Sequence, residues 1–222
     1  FERHSRGLKV TPAGKVFMRR GLSLLQELEG TIKELNDLDK GIVRHIHLFA
    51  GTAAISQFLP PLIAKYSKKY PEIQIDLEEQ VSEQVVLALK AGKAEMGVFV
   101  EGSNTEGLDV QVFRADELVL IFPKGHHLTG KKPIAFSETL DEQWISLNPG
   151  AAMLNQQMSA ASALGKRINL RMQVNSFDAV TQMVASGLGV ALLPKVFALS
   201  VLKANHLNWR PLQDKWAQRK LL

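Results

Sequence analysis

Apolar and polar positions along the chain follow one rule before Gly41 and another after it. Between Thr11-Pro12 and Lys40-Gly41 there is no further proline, and apolar residues return in two rows, Met18, Leu25 and Ile32 on one and Gly21, Leu28 and Leu35 on the other. Thr before Pro is an N-cap followed by a residue already set for the first helical position. The pattern predicts a long helix over 12–40 whose narrow seam has the spacing of a coiled coil. Helices that lie on their own globular domain carry a wider apolar stripe. Met18, Leu25, Leu28, Ile32 and Leu35 are therefore expected to pair with a second helix.

After Gly41 the pattern alternates between a period of two and the helical period. Strands are expected at 45–50, 73–77 and 95–100, with helices at 55–70 and 82–91 between them. Two more strands are expected at 108–113 and 117–122. A second series follows, with strands at 144–147, 170–174 and 190–193, helices at 153–164, 177–186 and 195–204, and closing strands at 207–212 and 219–222. Strand and helix in strict alternation imply parallel pairing through right-handed crossovers, so the fold class is α/β with two such regions in series.

Composition narrows the function classes. The 222 residues include no cysteine, which removes disulfides, thiolate metal sites and cysteine nucleophiles and suits a cytoplasmic protein. No apolar run reaches the roughly 18 residues of a membrane span. The net charge of +5 is concentrated: Arg3, Arg6, Lys9, Lys15, Arg19 and Arg20 face Glu2 alone in the first twenty residues, and the remainder is balanced. A basic edge of this kind suits contacts to phosphate.

Catalytic signatures are missing. The sequence has no HExxH, GxSxG, Walker or GxGxxG motif, so an enzyme is not expected, and no cofactor or metal is called for. His45 and His47 share one strand face without a third ligand in sequence reach and read as a polar strand edge; His126-His127 read as a solvated turn. Binding has more support, because parallel α/β sheets place ligands at the carboxyl ends of strands, beside helix N-termini. Here those ends are 51–54, 100–102, 147–151 and 175–178, and two such regions together imply a cleft.

Several segments resemble a known family. "RHSRGLKVTPAG" before a long helix is similar to the end of the winged helix-turn-helix and the start of the linker helix of bacterial LysR-type transcriptional regulators. "FLPPLIAKYSKKYPEIQIDL", "LKAGKAEMGVFV", "ELVLIFPKGHHL" and "MVASGLGVALLP" resemble, in order, segments of that family's effector-binding domain. The resemblance implies a two-lobed, periplasmic-binding-protein-like domain that binds a small-molecule effector between its lobes and acts on promoter DNA as a homodimer or homotetramer. It divides the chain into a wing remnant (1–11), a linker helix (12–40) and an effector domain (41–222), with lobe I at about 45–118 and 209–222 and lobe II at about 119–208.

The family's effector positions fall on Thr52, Ala53, Ala54, Val100, Glu101, Ser146, Leu147, Asn148, Phe177 and Asp178, and its backbone-contacting wing on Arg3, Arg6 and Lys9. Where the family often has a row of Ser or Thr, this chain has Thr52 and then two alanines, and Glu101 and Asp178 sit at the expected mouth, which leaves neutral or amine-bearing effectors open. The chain starts without Met, and the expectation is that a recognition helix precedes Phe1 and that the C-terminus is cut within a strand. The alternative is an exported solute-binding protein of the same fold, for which the seam helix and basic edge have no use.

Overall fold

The computed structural model describes residues 2–4, 7–39 and 44–222. Arg6 lies outside the described residues, as does the side chain of Arg3. The chain divides into two compact units, Phe1–His45 with Lys69–Gln74, and Ile46–Lys68 with Ile75–Leu222.

In the first unit, β1 (Glu2–His4) and β2 (Gly7–Lys9) form an antiparallel ladder with Glu2 opposite Lys9. α1 (Pro12–Asp39) follows, 28 residues long. Thr11 Oγ1 accepts the Gly14 N–H at 3.0 Å, which satisfies one orphan donor of the first turn, and Pro12 has no N–H to leave unpaired. Met18, Leu25, Leu28, Ile32 and Leu35 are all exposed in the single chain, as are Phe17, Leu22 and Leu24.

The first lobe is built from β3 (Arg44–Ala50), α2 (Thr52–Gln57), α3 (Leu59–Lys69), β4 (Ile73–Glu79), α4 (Ser82–Lys90) and β5 (Met96–Val98). Its strands are ordered β4-β3-β5, with β3 and β5 parallel. The single helix expected over 55–70 is two helices. Phe58 closes α2 by donating to Ala54 O at 3.0 Å, and Pro60 and Pro61, which lack N–H groups, fit only within the first turn of a new helix. Gly97 lets β5 lie close to α4, since a Cβ there would sit 2.6 Å from Val85 Cγ1.

β6 (Arg114–Pro123) carries the chain into the second lobe. The separate strand expected at 108–113 is not formed: Phe113 N–H reaches Leu221 O at 2.8 Å, but the ladder starts only at Arg114, opposite Leu221. The second lobe adds β7 (Gln143–Leu147), α5 (Ala152–Ala163), β8 (Asn169–Val174), α6 (Phe177–Ala185), β9 (Ala191–Pro194), α7 (Lys195–Val201) and β10 (Leu207–Pro211). Two 3₁₀ turns, Phe136–Thr139 and Lys215–Ala217, were not foreseen from the sequence. β7 and β8 are parallel, and β9 and β10 flank the second half of β6 in antiparallel fashion. Leu118 to Phe122 is accordingly buried on both faces, which is why it reads as an unbroken apolar run.

β11 (Gln218–Leu221) returns to the first lobe and pairs with the first half of β6. Leu222 and Phe99 exchange N–H···O bonds of 2.8 and 3.1 Å, so the C-terminal strand lies between β6 and the continuation of β5. Two crossings thus join the lobes. In the second lobe, Gly189 admits the β7–β9 approach, because a Cβ there would fall 2.2 Å from Gln143 O. Among the described residues no helix is long and apolar enough to cross a membrane.

Candidate functional site

Strand ends in the first lobe are drawn together by backbone bonds: Gly51 N–H donates to Val98 O at 2.8 Å and Gln80 N–H to Ala50 O at 3.0 Å. The helices that follow these ends, α2 and α4, therefore start side by side. α5 of the second lobe starts against the same space. A small inner cavity of about 60 Å³ is walled by the first turns of all three, with Thr52, Ala53, Val81, Ser82 and Ala152 among its lining. It shares Val81, Ser82, Val100 and Ala152 with a larger groove of about 790 Å³ that runs out between α4 and α5. The groove is within the usual size of a small-molecule site.

The three helix starts at the inner cavity lack a side-chain cap. Gly51, Val81 and Ala151 stand at the N-cap positions of α2, α4 and α5, and none accepts a first-turn N–H through its side chain. α6 differs, since Ser176 Oγ accepts the Ala179 N–H at 3.2 Å. Uncapped first turns present N–H groups and the positive end of the helix dipole to whatever occupies the cavity.

Arg219 lines the same cavity from β11. It stands opposite Asp116 of β6 in the ladder, and its guanidinium is paired with the Asp116 carboxylate. Nη1 reaches Gln156 Oε1 of α5 at 3.5 Å, and Nε is buried with no partner among the described residues. One side chain thus links both crossing strands to a helix of the second lobe.

The expected effector residues separate into groups. Thr52, Ala53, Val100, Leu147 and Phe177 line the inner cavity, and Val100 and Glu101 line the groove. Thr52 Oγ1 donates to Glu79 Oε1 at 2.5 Å, and Glu101 Oε1 accepts the Lys220 N–H at 2.9 Å. Ala54 is fully buried in the core of the first lobe. Ser146 is buried too, donating to Gln157 Oε1 at 3.1 Å. Asn148 bonds the Asn175 side chain, and Asp178 is exposed; neither residue lines either cavity. The sequence reading missed Val81, Ser82, Ala152 and Arg219. Val81, Ser82 and Ala152 are predictable only as helix starts, and nothing in "QRKLL" distinguishes a buried arginine from exposed ones.

Two histidine pairs are more connected than their sequence context suggests. His47 Nδ1 lies 3.3 Å from Glu95 Oε2, and the His47 N–H donates to the same oxygen at 2.7 Å. Burial pushes the Glu95 carboxyl up, but the backbone N–H groups of His47 and Glu95 and the His47 imidazole outweigh it and hold the pKa below its ordinary value. His126, read as solvated, is part-buried against Phe122 and His127. Burial lowers its pKa, opposed by Glu142 and assisted by His127.

Comparison with known proteins gives the arrangement a context. The family model described as the LysR substrate binding domain matches residues 39–221. A probable RuBisCO transcriptional regulator of Trichormus variabilis is 26% identical, the alignment covering 100% of this chain and 67% of the relative. Among solved structures, the Synechocystis CcmR regulatory domain in complex with 2-PG superposes with a TM-score of 0.69 at 22% identity, over 80% of this chain and 85% of that one. A point mutant of full-length BenM superposes with a TM-score of 0.69 at 22% identity, over 99% of this chain and 73% of that one.

Proposed function

The chain belongs to the LysR family of transcriptional regulators, and on that premise we propose that its inner cavity and groove bind a small anionic effector whose binding changes how the full protein holds promoter DNA. The observation that carries the effector's charge is the convergence of the uncapped starts of α2, α4 and α5 on one cavity that Arg219 also lines. Asp178 is on neither wall, and Glu101, whose carboxylate accepts the Lys220 backbone N–H, lines the outer groove and not the inner cavity, whose lining includes no carboxylate. The CcmR regulatory domain, of the same fold, is a complex with 2-PG. The relatives matched are regulators, which favours binding over turnover as the role of the cavity.

Differential affinity for two lobe arrangements is sufficient to couple the cleft to DNA. On this reading 1–11 is assigned to a wing, 12–40 to a linker helix and 41–222 to an effector domain. Arg3, Arg6 and Lys9 are assigned to phosphate contacts, and the exposed seam of α1 to dimerisation, with a tetramer as the next level of assembly. A protein of this kind works in the cytoplasm. The regulators matched, together with the seam helix, favour this reading over an exported solute-binding protein.

Ala152→Glu tests the site. Ala152 is the first residue of α5, half-buried beside the first-lobe core, where a carboxylate favours the helix dipole and puts a negative charge at the cavity; thermal unfolding checks that the variant folds. Sulfate, titrated calorimetrically into the chain, is expected to bind at least about tenfold more weakly to the variant, a difference of about 1.4 kcal/mol. Equal affinity in the two proteins places the anion elsewhere and removes the reading.

A further inference from the structure

In the second lobe, away from the cleft residues, the turn after β6 and the residue just before β7 bring three donors together. His127 Nε2 lies 2.8 Å from Glu142 Oε1, and His126 Nε2 lies 3.6 Å from Glu142 Oε2. The two rings stack at 4.4 Å, and one ligand atom from each of the three residues falls within 4.8 Å of the others. Among the described residues no lysine or arginine lies within ion-pair distance of Glu142, although its carboxylate is only 16% exposed. A covered carboxylate that faces only imidazoles is short of positive charge.

Backbone on both sides holds the donors in place. His126 N–H donates to Pro123 O at 3.2 Å, Thr129 N–H returns to His126 O at 3.0 Å, and Glu142 N–H donates to Thr139 O at 3.1 Å. The His126 ring is further packed against Phe122, 5.7 Å away between centroids. His126 and Glu142 are thus fixed by residues outside the set, as ligands require, and exposed His127 joins them at the surface.

We propose that His126, His127 and Glu142 form a divalent transition-metal site of the zinc class, with three protein ligands and a fourth position open to water. Two imidazoles and a carboxylate suit zinc, nickel or copper and do not suit magnesium or calcium, which take oxygen ligands. Ligands around tetrahedral zinc stand roughly 3.3 Å apart, given bonds of about 2.0–2.2 Å. The observed 2.8 and 3.6 Å, to the two carboxylate oxygens, bracket that separation, and all three ligand atoms lie within 4.8 Å of one another, so loading draws the three side chains together without moving the backbone that carries them. Proton placement sets the cost. Leu128 N–H donates to His126 Nδ1 at 3.4 Å, which leaves the imidazole proton on Nε2, facing Glu142. When the metal takes Nε2, that proton moves to Nδ1 and the long bond from Leu128 is given up. His127 is 70% exposed, and its Nε2 proton, which faces Glu142, likewise moves to Nδ1, where water accepts it. The consequence is moderate affinity.

The test uses the untagged chain and zinc alone, with a chromophoric chelator as competitor at neutral pH and thermal unfolding alongside. One zinc per chain with micromolar affinity is expected, with a rise in Tm that magnesium does not reproduce. His127→Ala, at an exposed position, is expected to fold like the parent and bind at least about tenfold more weakly. Glu142→Gln, which keeps an acceptor for the histidines and loses the charge, is expected to weaken binding similarly. Failure of the parent to compete for zinc overturns the proposal. So does unchanged affinity in His127→Ala, which would assign the metal to the other histidines.

Discussion

Arg219→Met is expected to destabilise the chain by about 3–5 kcal/mol, the cost of leaving a buried charge without its partner. Asp116 and Arg219 are 5% and 4% exposed, so no water compensates the carboxylate once the guanidinium is gone. The pair sits on β6 and β11, the two strands that cross between the lobes, and the arginine also touches Gln156 of α5. Urea midpoints of the single variant and of Asp116→Leu/Arg219→Met separate the effects. The double variant is expected to recover most of the loss, because replacing both charges by apolar side chains removes the desolvation penalty along with the attraction. A single variant as stable as its parent would mean that the two groups are not paired in solution. The conservative Arg219→Lys is not expected to rescue fully, since an ammonium cannot reach the carboxylate and Gln156 in the planar geometry of a guanidinium.

Leu28→Asp and Ile32→Asp are each expected to convert a dimer to a monomer at micromolar concentration. Both side chains are at least half exposed in the single chain, at 56% and 50%, so neither contributes much to the fold of one copy. In a paired seam each contributes about 1.5–3 kcal/mol by burial, lost twice in a symmetric dimer, and each Asp adds a desolvated charge. Sedimentation equilibrium reads the result directly. A halved mass with unchanged circular dichroism is the outcome expected. An unchanged dimer mass in both variants assigns the dimer contact to another surface.

Local chemistry made most elements legible before any coordinates. Thr11-Pro12 marks the start of α1 because a side-chain oxygen and a missing N–H both act within one turn. Leu118 to Phe122 reads as a central strand because it is covered on both faces. Where the reading failed, a distant partner decided. Residues 108–113 have strand-like alternation, yet the ladder waits for Arg114, where the C-terminal strand is in register. The break at Phe58 came from Pro60 and Pro61, a local signal whose placement within a first turn was overlooked.

The site was legible in part for the same reason. Strand-end rules pointed to Thr52, Ala53, Val100, Leu147 and Phe177, which the structure gathers around one cavity. Those rules do not say which end residues turn inward, and Ser146 turns into the second lobe toward Gln157. Arg219 is invisible to them, because its role depends on a neighbour more than one hundred positions away. Glu142 likewise meets His126 and His127 only through the fold.

The central claim, an anion held by three helix starts, is tested most directly by hydrogen–deuterium exchange of the chain in sulfate against chloride at matched ionic strength. Protection is predicted in peptides covering 51–55, 81–85 and 151–155, where the uncapped amides lie, with little change at the basic hairpin. Protection confined to the hairpin and α1, or none at the three helix starts, would contradict it.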